Sequence, residues 1–337
     1  MANSVTTSFT HTYNGQEFLT ELFYKPQEGG QDVFSIYKVM QVVDKTNLYI
    51  PGNLSKILRK YTTCGFSQQG SLAISDRTIS VAKVKSNLEE CEDAFDGTIF
   101  EEAIKRGVDI DDLEGTIVED ILRTSLLRGL ESDIPRICWF ATAAASSSDY
   151  DQFNGWVKLF QDASGAGTMG QFLNMNTDAN IESGGLMVAD GAITLFRNMY
   201  ENQSKTLRSV DRAEKKFYVT STIMDNYLTT LEDTQNERGQ LTLEDGTTVV
   251  KFRGIEVVEV KGWDTDLADT DNPQKTSVEK NMCTFTTPSN LIVGADIMSP
   301  ANEVKTWYSD DDEVIRMKVK FKLGVQILHP ELVSFAY

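Results

Sequence analysis

The most regular pattern in the chain lies near its end. Met317, Val319, Phe321, Leu323, Val325 and Ile327 take the odd positions, and Arg316, Lys318, Lys320 and Lys322 the even ones. Strict period two predicts a strand over 314–328 with one buried and one basic face. Asp310, Asp311 and Asp312 form the turn before it. A second pattern has the helical period. Leu113, Ile117, Val118, Ile121, Leu122, Leu126, Leu127 and Leu130 step by four, one and three, which predicts an amphipathic helix over 113–131. Asp111 and Asp112 precede it at the dipole-positive end, Pro135 is expected to stop it, and its length is roughly 28 Å.

The rest reads as a mixture. VFSIYKVMQVV (33–43) and RTISVAKVK (77–85) are β-branched and roughly alternating, so both are expected strands. Between them lie Pro51-Gly52, an amphipathic stretch (Leu54, Ile57, Leu58, Tyr61) and a polar tip, GFSQQGS (65–71), which together predict a long hairpin with an elaborated tip. CWFATAAA (138–145) reads as a buried strand or packed segment, and 153–161 as the start of a second helix. Helices are expected at 186–204 and 222–232, with KKFYVTS (215–221) a buried strand between them. From 240 the pattern turns to β, with Asp245-Gly246 as a hairpin turn. Residues 263–277 read as a polar loop, and no repeat with a period of 20–50 is visible. Residues 1–32 are polar apart from a short patch containing Phe18, Leu19, Leu22 and Phe23. Such a segment cannot bury a core alone, so the body of the chain or a neighbouring copy must hold it.

Composition narrows the function. A chain of 337 residues with 40% hydrophobic content has enough apolar surface for a sizeable core. Its 50 acids against 32 bases leave −18, which repels phosphate backbones and argues against sequence-reading nucleic-acid binding. Residues 89–133 carry fifteen acids against four bases, a net of −11. They fit either a solvated face or a wall that faces DNA without adhering to it. Cys64, Cys91, Cys138 and Cys283 are scattered without metal spacing, so reduced, buried thiols are expected. No signal peptide and no membrane span are read from the pattern.

Candidate chemistry is sparse. Gly165-Ala-Gly-Thr-Met-Gly170 matches GxGxxG, but a dinucleotide site needs that loop between a strand and a helix, whereas the preceding residues 156–162 look helical. His11 and His329 have no local nucleophile or acid motif, and a structural role is expected of both. Asp310–Asp312 with Glu313 lack the spaced ligands and central glycine of a calcium loop. No catalytic, cofactor-binding or metal residue is assigned. The basic stripe Arg316, Lys318, Lys320 and Lys322 reads either as a solvated strand face or, in preference, as a surface that meets acidic surfaces of the same or a neighbouring chain.

The order of elements resembles the Hong Kong 97-like capsid fold of tailed-phage shells: polar arm, long hairpin, strut helix, mixed α/β region, final long strand. KKFYVTSTIMDNYLTTLED (215–233), DGTTVVKFRGIEVVEV (245–260), FTTPSNLIVGADI (285–297) and VKTWYSDDDEVIRMKVKFKLGVQILHPELVSFAY (304–337) are similar to segments of phage major capsid proteins. The resemblance implies an α+β fold with an N-arm (1–32), an E-loop hairpin with flanking strands (33–90), a P-domain (91–155) containing the spine helix 113–131, an A-domain (156–303) and a return to the P-domain (304–337). It also implies hexamers and pentamers in an icosahedral head around double-stranded DNA. Portal and separate scaffold, protease or decoration proteins are the implied partners, with assembly in a bacterial cytoplasm, a place in the virion, and no cofactor or membrane. Inter-subunit contacts are expected at Phe18, Leu22, Phe66, Gln68 and Gln69 and at the basic stripe. No lysine, asparagine and glutamate set for covalent crosslinking is matched. The alternatives are an encapsulin-type compartment shell and a soluble nucleotide-binding enzyme using 165–170.

Overall fold

The computed structural model describes residues 11–13, 37–51, 74–91, 117–175, 187–233, 240–242, 248–274, 281–296, 303–309, 312 and 314–337. The first strands are β1 (His11–Tyr13), β2 (Lys38–Gln41), β3 (Lys45–Pro51), β4 (Ile74–Ser80) and β5 (Ala82–Cys91). Then come helices α1 (Ile117–Phe140) and α2 (Trp156–Gly165), strand β6 (Gln171–Leu173), and helices α3 (Gly191–Glu201) and α4 (Lys205–Ser209). Strand β7 (Lys216–Val219) leads to α5 (Ser221–Asp233), β8 (Gln240–Thr242), β9 (Thr248–Phe252), β10 (Ile255–Glu259) and α6 (Trp263–Ala268). The chain closes with β11 (Cys283–Thr286), β12 (Leu291–Ala295), β13 (Glu303–Ser309), β14 (Val314–Ile327) and β15 (Ser334–Ala336).

Strand β14 is the axis of a six-stranded sheet, in which β1, β13, β14, β12 and β2 follow one another and β5 joins β14. Its alternation folds as read: Met317, Val319, Phe321, Leu323, Val325 and Ile327 are all buried. They share one core with Leu126, Leu130, Ile134 and Ile137 of α1 and with Trp156 and Phe160 of α2. Trp139 stands at the centre, edge-on to Trp156 (ring centroids 4.8 Å apart) and to Trp263 (4.6 Å).

Helix α1 departs from the expectation at its C-terminal end. It continues through Pro135 to Phe140, so of 138–145, read as a strand or a packed segment, 138–140 are helical and Cys138 to Ala141 are buried. Residues 113–116 lie outside the described residues. An interior proline costs about 3 kcal/mol in a helix. Beyond it, however, Ile137, Cys138, Trp139 and Phe140 are all buried, and a large apolar side chain gains roughly 1.5–3 kcal/mol on burial. Several such gains outweigh one proline.

The expected hairpin also pairs differently. Residues 38–41 run parallel to β12 and 82–91 antiparallel to β14, so these parts of the two segments belong to the larger sheet, whereas 77–80 do form a hairpin strand and 33–36 lie outside the described residues. The hairpin itself is β3 against β4, in register from Lys45↔Ser80 to Pro51↔Ile74. The chain leaves the sheet at 42–44 and returns at Val81, whose amide donates to the Asp44 carbonyl at 3.1 Å. Val42, Leu48, Ile79 and Ile292 pack a small core at that junction. Gly294 and Gly324 are register partners there. A Cβ on Gly324 would stand 2.2 Å from the Ser80 carbonyl oxygen, so the crossing needs glycine.

The second sheet has seven strands in the order β6, β15, β11, β7, β10, β9, β8. Helices α3 and α5 cover a core in which Phe217 and Phe285 stack at 4.2 Å beside Phe196 and Phe252. The hairpin expected at Asp245-Gly246 is present as β8 and β9, although 243–247 lie outside the described residues. A second turn, Arg253-Gly254 with φ of 51° and 84°, joins β9 to β10. The expected polar loop 263–277 starts instead with α6, whose Trp263 and Leu267 are buried in the first core.

Two short connections pass between the sheets, from β11 to β12 and from β14 to β15. Asn290 joins them. Its carbonyl accepts from the Leu328 amide (3.0 Å), its Oδ1 accepts from the His329 amide (2.6 Å), and its Nδ2 donates to the His329 carbonyl (2.9 Å). His329 is a strand-end residue, with Nδ1 3.1 Å from Glu331 Oε1. Of the cysteines, Cys138 and Cys283 are buried as expected but Cys91, on the solvent side of β5, is exposed. Cys64 lies outside the described residues.

Candidate interaction surface

The face of β14 opposite the core is cationic, and its neighbours extend it. Lys322 stands opposite Lys83 of β5, Lys320 opposite Lys85, and Lys318 opposite Asn87. On the other flank Lys318 stands opposite Lys305 of β13, and Lys320 opposite Glu303. Like charges directly opposite each other destabilise a sheet. The surface therefore holds three like-charged register pairs: Lys83/Lys322, Lys85/Lys320 and Lys305/Lys318. Period two on β5 places Lys83, Lys85 and Asn87 on its exposed side.

The ends of the stripe are neutralised within the chain. Arg316 donates from Nε to Glu89 Oε2 and from Nη2 to Asp312 Oδ2, both at 2.7 Å. These carboxylates raise the arginine's already high pKa further. Lys322 lies 3.3 Å from Asp296 Oδ2 and donates to the Val43 carbonyl. Asp296 is only 1% exposed and also accepts from Gln41 Nε2 at 2.8 Å, so this pair ties β14 to β2 and the hairpin base. Lys305, Lys318 and Lys320 are themselves engaged in polar or electrostatic contacts.

The structure thus brings the four stripe residues named from sequence onto one face and sets Arg316 and Lys322 against intramolecular acids. Phe18, Leu22, Phe66, Gln68 and Gln69 lie outside the described residues. Lys83, Lys85 and Lys305 were missed. The alternation of Val-Lys-Val-Lys-like positions in 77–85 carried the signal for the first two, but the polar run 86–91 hides how far β5 extends along β14.

The glycine-rich segment 165–170 has a packing role. Helix α2 ends at Gly165 and the segment leads into β6, the reverse of the strand–loop–helix order a dinucleotide needs. The Gly170 amide donates to the Pro330 carbonyl at 3.1 Å, and a Cβ there would stand 2.6 Å from the Glu331 carbonyl oxygen. Among the described residues no helix is long and apolar enough to cross a membrane.

No family model matches the chain, and no curated protein matches it. Solved structures do. A chain of the satellite phage P4 procapsid including its size determination protein aligns with 99% of this chain and 93% of its own length, with TM-score 0.60 and 11% identity. A chain from the capsid of a native GTA particle aligns with 92% of this chain and 91% of its own length (TM-score 0.55, 12% identity). One from Gordonia phage Cozz covers 90% and 85% respectively (TM-score 0.53, 12% identity). At such identities the likeness is one of fold, and it runs through nearly the whole of each chain. The protein has the α+β Hong Kong 97-like capsid fold.

Proposed function

We propose that this chain is the major capsid protein of a tailed bacteriophage, a structural subunit whose copies assemble as hexamers and pentamers into an icosahedral head around double-stranded DNA. The observation that carries the reading is the match of fold from end to end with chains from phage particles, 99% of this chain against 93% of the P4 procapsid chain. The cationic sheet face supports it. A surface that keeps three like-charged register pairs is stabilised by an acidic partner, and a second copy of a chain with 50 acids offers one. In this reading the arm (1–32) and the hairpin between Lys45 and Ser80 reach neighbouring copies, with Phe18, Leu22, Phe66, Gln68 and Gln69 in the contacts. Many weak contacts in a closed lattice add through effective concentration. The acidic stretch 89–133 faces the genome without reading its sequence. Portal and separate scaffold, protease or decoration proteins would be its other partners, and the virion its place.

The test is size-exclusion chromatography with negative-stain microscopy of the purified chain across a concentration series. Hexameric rings or megadalton shells are expected. A compact monomer at every concentration, with the arm and hairpin as protease-resistant as the body, would overturn the reading.

A further inference from the structure

Away from the basic sheet face, a cavity of about 790 Å³ lies where α3, α4 and the turn before β7 meet. Its chemistry is set by Lys215, which immediately precedes β7 and is 2% exposed. Among the described residues the ammonium's hydrogen-bond partner is Gln203 Oε1, at 3.4 Å. A lysine has three N–H donors, and a buried cation needs a countercharge. Two guanidiniums line the same cavity. Arg208 donates from Nη2 to the Glu201 carbonyl at 2.7 Å, and Arg212 lies over the Tyr200 ring at 6.0 Å. The acids on the wall do not balance them. The Glu201 carboxylate is paired with Arg253 at 3.5 Å, which leaves Asp211 facing three cations. The consequence appears at Lys215, whose pKa falls below the ordinary lysine value, through burial first and then through Arg212 and Arg208, with Asp211 opposing. In a chain with a net charge of −18, this is a local inversion of sign.

We propose that this cavity binds an oxyanion of the carboxylate or phosphate class between the Lys215 ammonium and the Arg208 and Arg212 guanidiniums. Arginine suits the role because its planar fork matches two oxygens of one group. The oxyanion can come from free phosphate or from an acidic side chain of a second copy, and only the latter source rests on the assembly reading.

The experiment uses the full chain and an Arg208→Gln/Arg212→Gln variant, both side chains being exposed, with circular dichroism to confirm folding. Inorganic phosphate is titrated at constant ionic strength against chloride, with the melting temperature as readout. A saturable rise of about 2 °C or more in the wild type, absent in the variant and restored by Arg208→Lys/Arg212→Lys, assigns the cavity to a free anion. No phosphate response, with at least about a tenfold higher protein concentration needed for the glutamine variant to assemble, assigns it to a neighbour's carboxylate. Equal phosphate responses in wild type and glutamine variant, or no response together with unchanged assembly, overturn the proposal. The phosphate arm is read on unassembled protein, so its outcome is separable from failure to form shells.

Discussion

Single residues fix the crossings of this fold. At Gly324 the obstacle to a side chain is backbone, the Ser80 carbonyl, and a carbonyl cannot rotate aside as a flexible side chain would. Gly324→Ala is expected to lower the unfolding free energy by about 1–3 kcal/mol, read from the denaturant midpoint at unchanged slope. An unchanged midpoint would mean that the hairpin base yields. Asp266 on α6 provides a pH-dependent contrast. Burial, aided by Asp269 and Asp133 and opposed by Arg136, lifts its carboxyl from 3.8 to about 7. Between those values the folded chain holds a proton that the unfolded chain has released, so this residue's contribution to stability falls as pH rises through the window and is level above about 7. Asp266→Asn removes that slope. Melting temperatures from pH 4 to pH 8 should therefore converge on wild type at the acidic end and exceed it at the alkaline end. A parallel offset across the range would show that Asp266 does not titrate there.

At the scale of elements, α1 shows where a local signal yields to tertiary burial. Pro135 lacks the amide that would bond the Glu131 carbonyl, yet the helix continues because Trp139 and Phe140 beyond it are in the core. Pro135→Ala restores that donor and is expected to raise the melting temperature, by up to about 3 kcal/mol of helix stability if the turn closes without disturbing Trp139. A lowered melting temperature would show that the proline bend is needed to seat the tryptophan. The same conflict explains what was legible beforehand. Strand β14 could be read because each of its odd positions enters one core, and α1 because its stripe is one-sided. The partners of 33–43 and 77–85 could not, since both are β-branched runs and only the small core at Val42, Leu48 and Ile79 shows that the chain leaves one sheet between β2 and β3. Helix α6 was hidden because Trp263 and Leu267 are its only large apolar residues in an acidic stretch, too few to show a period. For the surface, the stripe on β14 was visible. Its extension to Lys83, Lys85 and Lys305 depends on strand register, which distant pairing decides.

Along the chain, charge separates into stretches of opposite sign, and that separation should govern association. Residues 89–133 are strongly acidic while the β14 face is basic. Lys85→Gln with Lys320→Gln removes one like-charged register pair and withdraws two cations from an acidic partner. The monomer is expected to fold normally, while association weakens by about tenfold or more at low salt and loses most of its salt dependence, as sedimentation at several ionic strengths would show. Unaltered association would exclude this face from the interface. How the two sheets are held to each other is decided elsewhere, at Asn290. Because its side chain grips the His329 backbone from both sides while its own carbonyl holds Leu328, the two links between the sheets are bolted side by side. A torque on one sheet would load both links at once, and in the proposed shell a push from inside would reach the second sheet through this joint.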